Sequence, residues 1–210
     1  MNRIHLIQHP IVTHHLSRMR DQSSSGQQYR NSLEVLSYFL AVEISKTMRL
    51  SKSSIETHFG DRNLPLLSEE LNLVSVLRAG EGMLRSFLNF LPKVSIGHIG
   101  VHHDHLEKTT VEYYHKLPSK IEGKKVVIVD PVIATGNTMI QILNRIKSYE
   151  VGPISLAMIA CSKEGSDKIL LAHPDISIYT CSYDEDELNS EGFLVPGIGD
   201  PGDRVFDTNL

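Results

Sequence analysis

The chain has 210 residues, of which 40% are hydrophobic and 22% charged, with a formal net charge of −4. That is enough apolar material for one α/β domain with a sizeable core, and the slight negative balance leaves no basic footprint for nucleic acid. Two cysteines, no tryptophan and no long apolar run point away from a disulfide scaffold and a membrane span, and no N-terminal signal sequence is expected; the thiols read as reduced core residues in a cytoplasmic setting.

Residues 1–27 read as an arm. Ile4, Leu6 and Ile7 suit a short extended segment, and His9-Pro10 opens a helix that runs past Met19. From Tyr29 to Leu50, Leu33, Leu36, Leu40 and Ile44 fall three or four apart, which is the apolar face of a helix. Ser51 to Glu70 is polar and reads as loop, with at most a short strand at Ile55-Glu56-Thr57.

Leu71 to Leu77 is a buried strand, followed by Arg78-Ala79-Gly80 and a helix from Glu81 to Phe90. Ligands in open α/β sheets gather at the carboxyl ends of strands. A cation there, beside a glycine turn, suits a pyrophosphate. Val94 to Val101 is a third strand, and residues 101–117 form a hairpin in which Val111 and Tyr113 alternate. His102, His103, Asp104 and His105 are tempting metal ligands. Their spacing on a hairpin does not converge, so no metal held directly by side chains is expected.

Val126 to Val129 is a strand buried on both faces that ends on Asp130. Pro131 should stop the ladder there. Thr135-Gly136-Asn137-Thr138 then leads into a helix with apolar spacing from Met139 to Ile146. A strand, a small-residue turn and a helix start make an anion site, because the first N–H groups of a helix lack intrahelical partners and the helix dipole adds to the attraction. An ordinary βα turn capped by Thr138 is the alternative. Walker and dinucleotide glycine patterns are both absent.

Beyond this, Pro153 to Cys161 is a buried strand, Lys163 to Ala172 a helix, and Ile176 to Cys181 a further strand. The alternation predicts an open, mostly parallel sheet flanked by helices. From Asn189 to Phe206 there are too many glycines and prolines for a regular element. Such a segment can bring backbone donors and acceptors close to a small planar ligand.

Val127-Ile128-Val129-Asp130-Pro131-Val132-Ile133-Ala134-Thr135-Gly136 resembles the phosphoribosyl-pyrophosphate (PRPP) motif of type I phosphoribosyltransferases. The Asp130-Pro131 pair is similar to the uracil phosphoribosyltransferases. So are His9-Pro10 with Met19-Arg20-Asp21, the Leu77-Arg78-Ala79-Gly80 loop, and Gly192-Phe193-Leu194-Val195-Pro196-Gly197-Ile198-Gly199-Asp200-Pro201-Gly202-Asp203. The resemblance spans nearly the whole chain. It implies one phosphoribosyltransferase domain over 1–210, with a small hood from the N- and C-terminal segments, the latter being residues 183–210. It implies transfer of phosphoribosyl from PRPP to uracil, giving UMP and pyrophosphate in pyrimidine salvage.

The same resemblance implies the site. Asp130 and Arg78 would act in catalysis. PRPP would be held by Arg78, His103, Asp130, Pro131, Val132, Ile133, Ala134, Thr135, Gly136, Asn137, Thr138 and Asp200. Uracil would meet Leu194, Gly199, Asp200 and Pro201. Mg2+ would be bound mainly through PRPP, and a homodimer or higher homo-oligomer is expected. Four positions depart from the family pattern: His103 for arginine, Asn137 and Thr138 for glycine and serine, and Pro201 for alanine. Lys108 and Lys116 are the cations nearest to His103 in sequence. Two alternatives stay open, namely another nucleobase in the same reaction, or a PRPP-binding regulatory protein that has lost catalysis.

Overall fold

The computed structural model describes residues 3–104, 109–184, 188–190 and 192–208. In chain order, β1 (Ile4–Leu6), α1 (Pro10–Arg20) and α2 (Gly26–Ser45) are followed by the pair β2 (Leu50–Thr57) and β3 (Gly60–Leu67). Next come β4 (Leu71–Leu77), α3 (Glu81–Phe90), β5 (Val94–Asp104) and β6 (Thr109–Lys116). Then β7 (Val126–Val129), β8 (Val132–Ile133), α4 (Asn137–Lys147), β9 (Ile154–Ser162), α5 (Lys163–Ala172), β10 (Ser177–Asp184) and α6 (Pro201–Phe206) complete the order. The main sheet runs β1-β10-β9-β7-β4-β5-β6, with β8 paired to β9. Its pairs are parallel except β5 with β6.

The strands read as continuous apolar runs because both faces of the sheet are covered. Side chains alternate between the two faces. Leu71, Leu73, Val127, Val129, Ala157 and Ile159 join α1, α2 and α3 in one core. Val74, Val76, Val126, Ile128, Leu156 and Met158 join α4 and α5 in the other. Local signals fix the helix starts. Ser25 and Gln28 form a reciprocal capping box on α2, and His9 Nδ1 accepts the Ile11 N–H at the head of α1.

Three expectations need correction. Ser51 to Glu70 is not loop but two antiparallel strands of eight residues each, paired from Leu50↔Leu67 to Thr57↔Gly60. The helix expected over Tyr29–Leu50 starts at Gly26 and ends at Ser45, and Leu50 already belongs to β2. Pro131 does not end pairing. Its carbonyl accepts from Ile159 N at 2.9 Å and Ala160 N at 3.0 Å, and β8 then resumes the ladder against Ala160 and Cys161. Proline removes a donor but keeps its acceptor, so the chain steps along β9 rather than leaving the sheet.

Candidate active site

Sheet order decides where a ligand can sit. From β4 the chain moves outward to β5 and β6, then returns to lay β7 on the other side of β4. The β4/β7 boundary is therefore a topological switch point, with a crevice outside the carboxyl ends of both strands. Arg78 follows β4 and Asp130 follows β7, and the strands run in register from Asn72↔Val126 to Ser75↔Val129. A cavity of about 1460 Å³ opens there, lined by both residues, by Ala134, Thr135, Asn137 and Thr138, and by Phe193, Asp200 and Pro201 among others.

Asp130 is half-buried and lines this cavity. Among the described residues its carboxylate has no hydrogen bond or ion pair. Burial without a partner pushes the carboxyl up to about 8.

The turn after β8 is built for close approach. Gly136 adopts φ +77° and caps α4 without a side chain, a conformation that favours glycine. Ile140 N → Gly136 O is the first backbone bond of the helix. The turn is supported from behind by the β9–α5 junction, which the sequence did not reveal. Ser162, buried, donates from Oγ to Ala134 O at 2.5 Å and accepts from Gly165 N at 2.8 Å.

The family model for uracil phosphoribosyltransferase matches residues 6–208. The chain belongs to the uracil phosphoribosyltransferase family. A uracil phosphoribosyltransferase of Polaromonas naphthalenivorans is 39% identical over 209 residues, covering 99% of this chain and 100% of its own length. One of Legionella pneumophila is 37% identical and covers 100% of this chain and 98% of its own. A solved protein from Aquifex aeolicus is 30% identical and covers 97% of both chains, with a TM-score of 0.91. A purine phosphoribosyltransferase from Pyrococcus horikoshii, 17% identical over 74% of this chain and 84% of its own, superposes with a TM-score of 0.52, which reflects the shared fold.

In this uracil phosphoribosyltransferase family member a hood closes one side of the cavity. Asp200 accepts from Asp203 N at 3.1 Å and so caps α6, with Pro201 as its first residue. A short helix thus stands where no regular element was expected. Proline suits that position, because the first N–H of a helix has no intrahelical partner. Arg78 Nη2 lies 3.3 Å from Asp203 Oδ1, and its guanidinium stands 5.9 Å from the Phe206 ring centre. Strand β4 is thereby tied to the hood.

Arg204 is a further residue that sequence reasoning missed. Its guanidinium donates to the carbonyls of Met19, Asp21 and Ser24 and stacks 4.4 Å over the Tyr29 ring. It joins α6 to the N-terminal arm. Arg204→Ala should destabilise the protein by about 2 kcal/mol or more, since a charged donor loses several carbonyls at once. Urea unfolding with an unchanged slope checks it, and a loss under about 0.5 kcal/mol would contradict this role.

Not every expected site residue reaches the cavity. Pro131, Ile133 and Gly136 are buried behind its lining, and Val132 lines it. Leu194 is buried and bridges to Leu188, and Gly199 lies against Arg204; neither is among the lining residues. His102 of β5 lines the cavity, with its ring 5.9 Å from that of Tyr113. His103 sits opposite Thr110 in the β5–β6 ladder. Lys116 lines a separate pocket of about 480 Å³ with Pro118 and Tyr149, away from the cavity. Lys108 and His105 lie outside the described residues.

Proposed function

We infer that this chain transfers phosphoribosyl from PRPP to uracil, giving UMP and pyrophosphate, as in pyrimidine salvage. The observation that carries the reading is the single cavity wall that joins Asp130, the Ala134–Thr138 turn and Arg78 at the β4/β7 switch point. Bond loss at the anomeric carbon leaves positive charge on the ribose and negative charge on the departing pyrophosphate. Catalysis is then mainly positioning and charge stabilisation.

In this reading the backbone N–H groups at the start of α4 hold the 5′-phosphate. Asp130 takes the ribose hydroxyls and favours the cationic transition state. Arg78 leaves its contact with Asp203 to meet the pyrophosphate. The hood segment from Gly192 to Asp203 reads the base, with the lining residues Asp200 and Pro201 as its contacts. The base nitrogen attacks from the face opposite the leaving group.

Magnesium fits as a substrate-borne ion. Asp130 and Asp200 offer carboxylates to the cavity, while among the described residues no three His, Cys, Asp or Glu side chains converge into a metal-holding group. When bound, Mg2+ supplies charge neutralisation for the pyrophosphate.

Position 103 carries histidine where the family pattern has arginine, so a planar five-donor cation is absent there. His103→Arg is expected to lower the KM for PRPP by about tenfold, on the scale of one hydrogen bond to a charged group. An unchanged KM would remove position 103 from PRPP binding. The function itself is tested by assaying UMP formation from uracil and PRPP with Mg2+, against orotate, hypoxanthine and xanthine. Turnover confined to a purine would overturn the choice of base, and PRPP binding without turnover of any base would favour the regulatory alternative.

The reading includes a homodimer or higher homo-oligomer in the cytoplasm. The β2–β3 hairpin stands apart from the main sheet and exposes Leu64, Leu66 and Phe59, the last 94% exposed. A lone two-stranded hairpin is marginal in water and gains from a partner. Sedimentation of Leu64→Lys/Leu66→Lys as a monomer would support the assembly through this hairpin. Both cysteines are free and buried, as suits a reducing compartment, and among the described residues no helix is long and apolar enough to cross a membrane.

A further inference from the structure

The first turn of α5 leans on the start of α4. A Cβ built at Gly136 would meet Gly165 O at 2.6 Å, so the two backbones are in contact there. One helical turn beyond Gly165, the exposed Lys168 reaches across and donates from Nζ to Asn137 Oδ1. Asn137 is the first residue of α4 and lines the cavity.

A carboxamide has two ends of opposite character. Oδ1 accepts and Nδ2 donates. Beside a phosphate, the oxygen repels and the nitrogen binds. An ammonium has donors only, so it selects Oδ1. That turns Nδ2 away from Lys168, and among the described residues Nδ2 has no hydrogen-bond partner. Gly136 gives α4 no side-chain cap, and the one permanent cation among the described lining residues, Arg78, stands on the β4 side. The Asn137 amide is therefore a side-chain donor at the helix end, and Lys168 determines that its free end is Nδ2.

We propose that Lys168 is a positioning residue for the 5′-phosphate: by holding Asn137 Oδ1 it presents Nδ2 as a donor to the phosphate of PRPP and of UMP. This rests on the reading that the start of α4 holds that phosphate. The effect falls on ligands that carry a 5′-phosphate and spares those that lack one.

Calorimetric titration of UMP and uridine, with steady-state kinetics, tests it on the wild type, Lys168→Met, Lys168→Arg, Asn137→Ala and the Lys168→Met/Asn137→Ala double variant. Lys168→Met is expected to weaken UMP and raise the KM for PRPP by about tenfold, the scale of one hydrogen bond to a charged group. Its kcat, melting temperature and uridine affinity stay at wild-type values. Lys168→Arg, also a pure donor, retains most of the UMP affinity. In the Asn137→Ala background the lysine change adds less than about a twofold loss, because its intermediary is gone. Equal losses for uridine and UMP would overturn the proposal as a structural effect, and additive losses in the double variant would overturn the route through Asn137. Wild-type UMP binding no tighter than uridine would instead overturn the phosphate assignment itself.

Discussion

Asp130→Asn is expected to lower kcat by about 100-fold or more, the scale on which a preorganised electrostatic group at the reacting centre contributes. The substitution keeps shape and removes charge. Asp130 stands at the carboxyl end of β7, half-buried in the cavity, with no partner among the described residues. Its loss therefore breaks no contact within the fold. Stability should move the other way. The carboxyl sits at about 8 in the ligand-free fold against its ordinary 3.8, raised by burial. Between those pH values the folded chain holds a proton that the unfolded chain has released. Stability from this group is thus fully present below about pH 4, falls as pH rises, and is lost above about pH 8. Asparagine has no such window. The melting temperature of the variant should gain on the wild type as pH rises from 4 to 8, while its turnover stays low throughout. Normal turnover would take Asp130 out of the mechanism. A second readout is independent of rate. In the proposed mechanism PRPP binding needs the ionised acid, so the wild type should release more protons than Asp130→Asn, measured by calorimetry in two buffers of different ionisation enthalpy at pH 7.

How far the sequence revealed this arrangement depended on which surfaces each segment buries. Leu71 to Leu77, Val126 to Val129 and Ile154 to Cys161 are legible because a strand covered on both faces is apolar along most of its length. Most of the β2–β3 hairpin, beyond the strand expected at Ile55–Thr57, was missed for the opposite reason. Its side chains are mostly exposed, so Leu50-Ser51-Lys52-Ser53-Ser54 shows no alternation to read. The short α6 was hidden by its glycines and prolines, although Asp200-Pro201 followed by Asp203 is a recognisable helix start. In the candidate site, Arg78, Asp130 and the Ala134–Thr138 turn could be found because each follows directly from a buried strand. Ser162, Gly165, Lys168 and Arg204 could not. Each acts on a residue far away in the chain, and such a contact leaves no local periodicity.

Gly165 is the sharpest of these, and local rules point the wrong way for it. It lies in the first turn of α5, where alanine would ordinarily be favoured by about 1 kcal/mol. Here a Cβ would stand 2.1 Å from Ala134 O and 2.9 Å from both Ile133 Cγ2 and Ser162 Oγ. The first of these is a backbone atom in the turn proposed to hold the 5′-phosphate, so it cannot swing aside as a side-chain end can. Overpacking in a well-filled site costs about 1–3 kcal/mol, which outweighs the propensity gain. The clash is relieved only by moving α5 away or by shifting the turn. Moving α5 strains the Ser162 bonds to Ala134 O and Gly165 N, which are what set the turn. Either route displaces the backbone that would meet PRPP. A misplacement of about 1 Å costs on the order of 100-fold in rate, so Gly165→Ala should lower kcat/KM for PRPP by about that factor and lower the melting temperature. Ser162→Ala, which removes one side of the same support without a clash, should do so more mildly. A Gly165→Ala protein that melts higher and keeps its kcat/KM would mean that α5 slides freely past the turn, and the support assigned to the β9–α5 junction would have to be withdrawn.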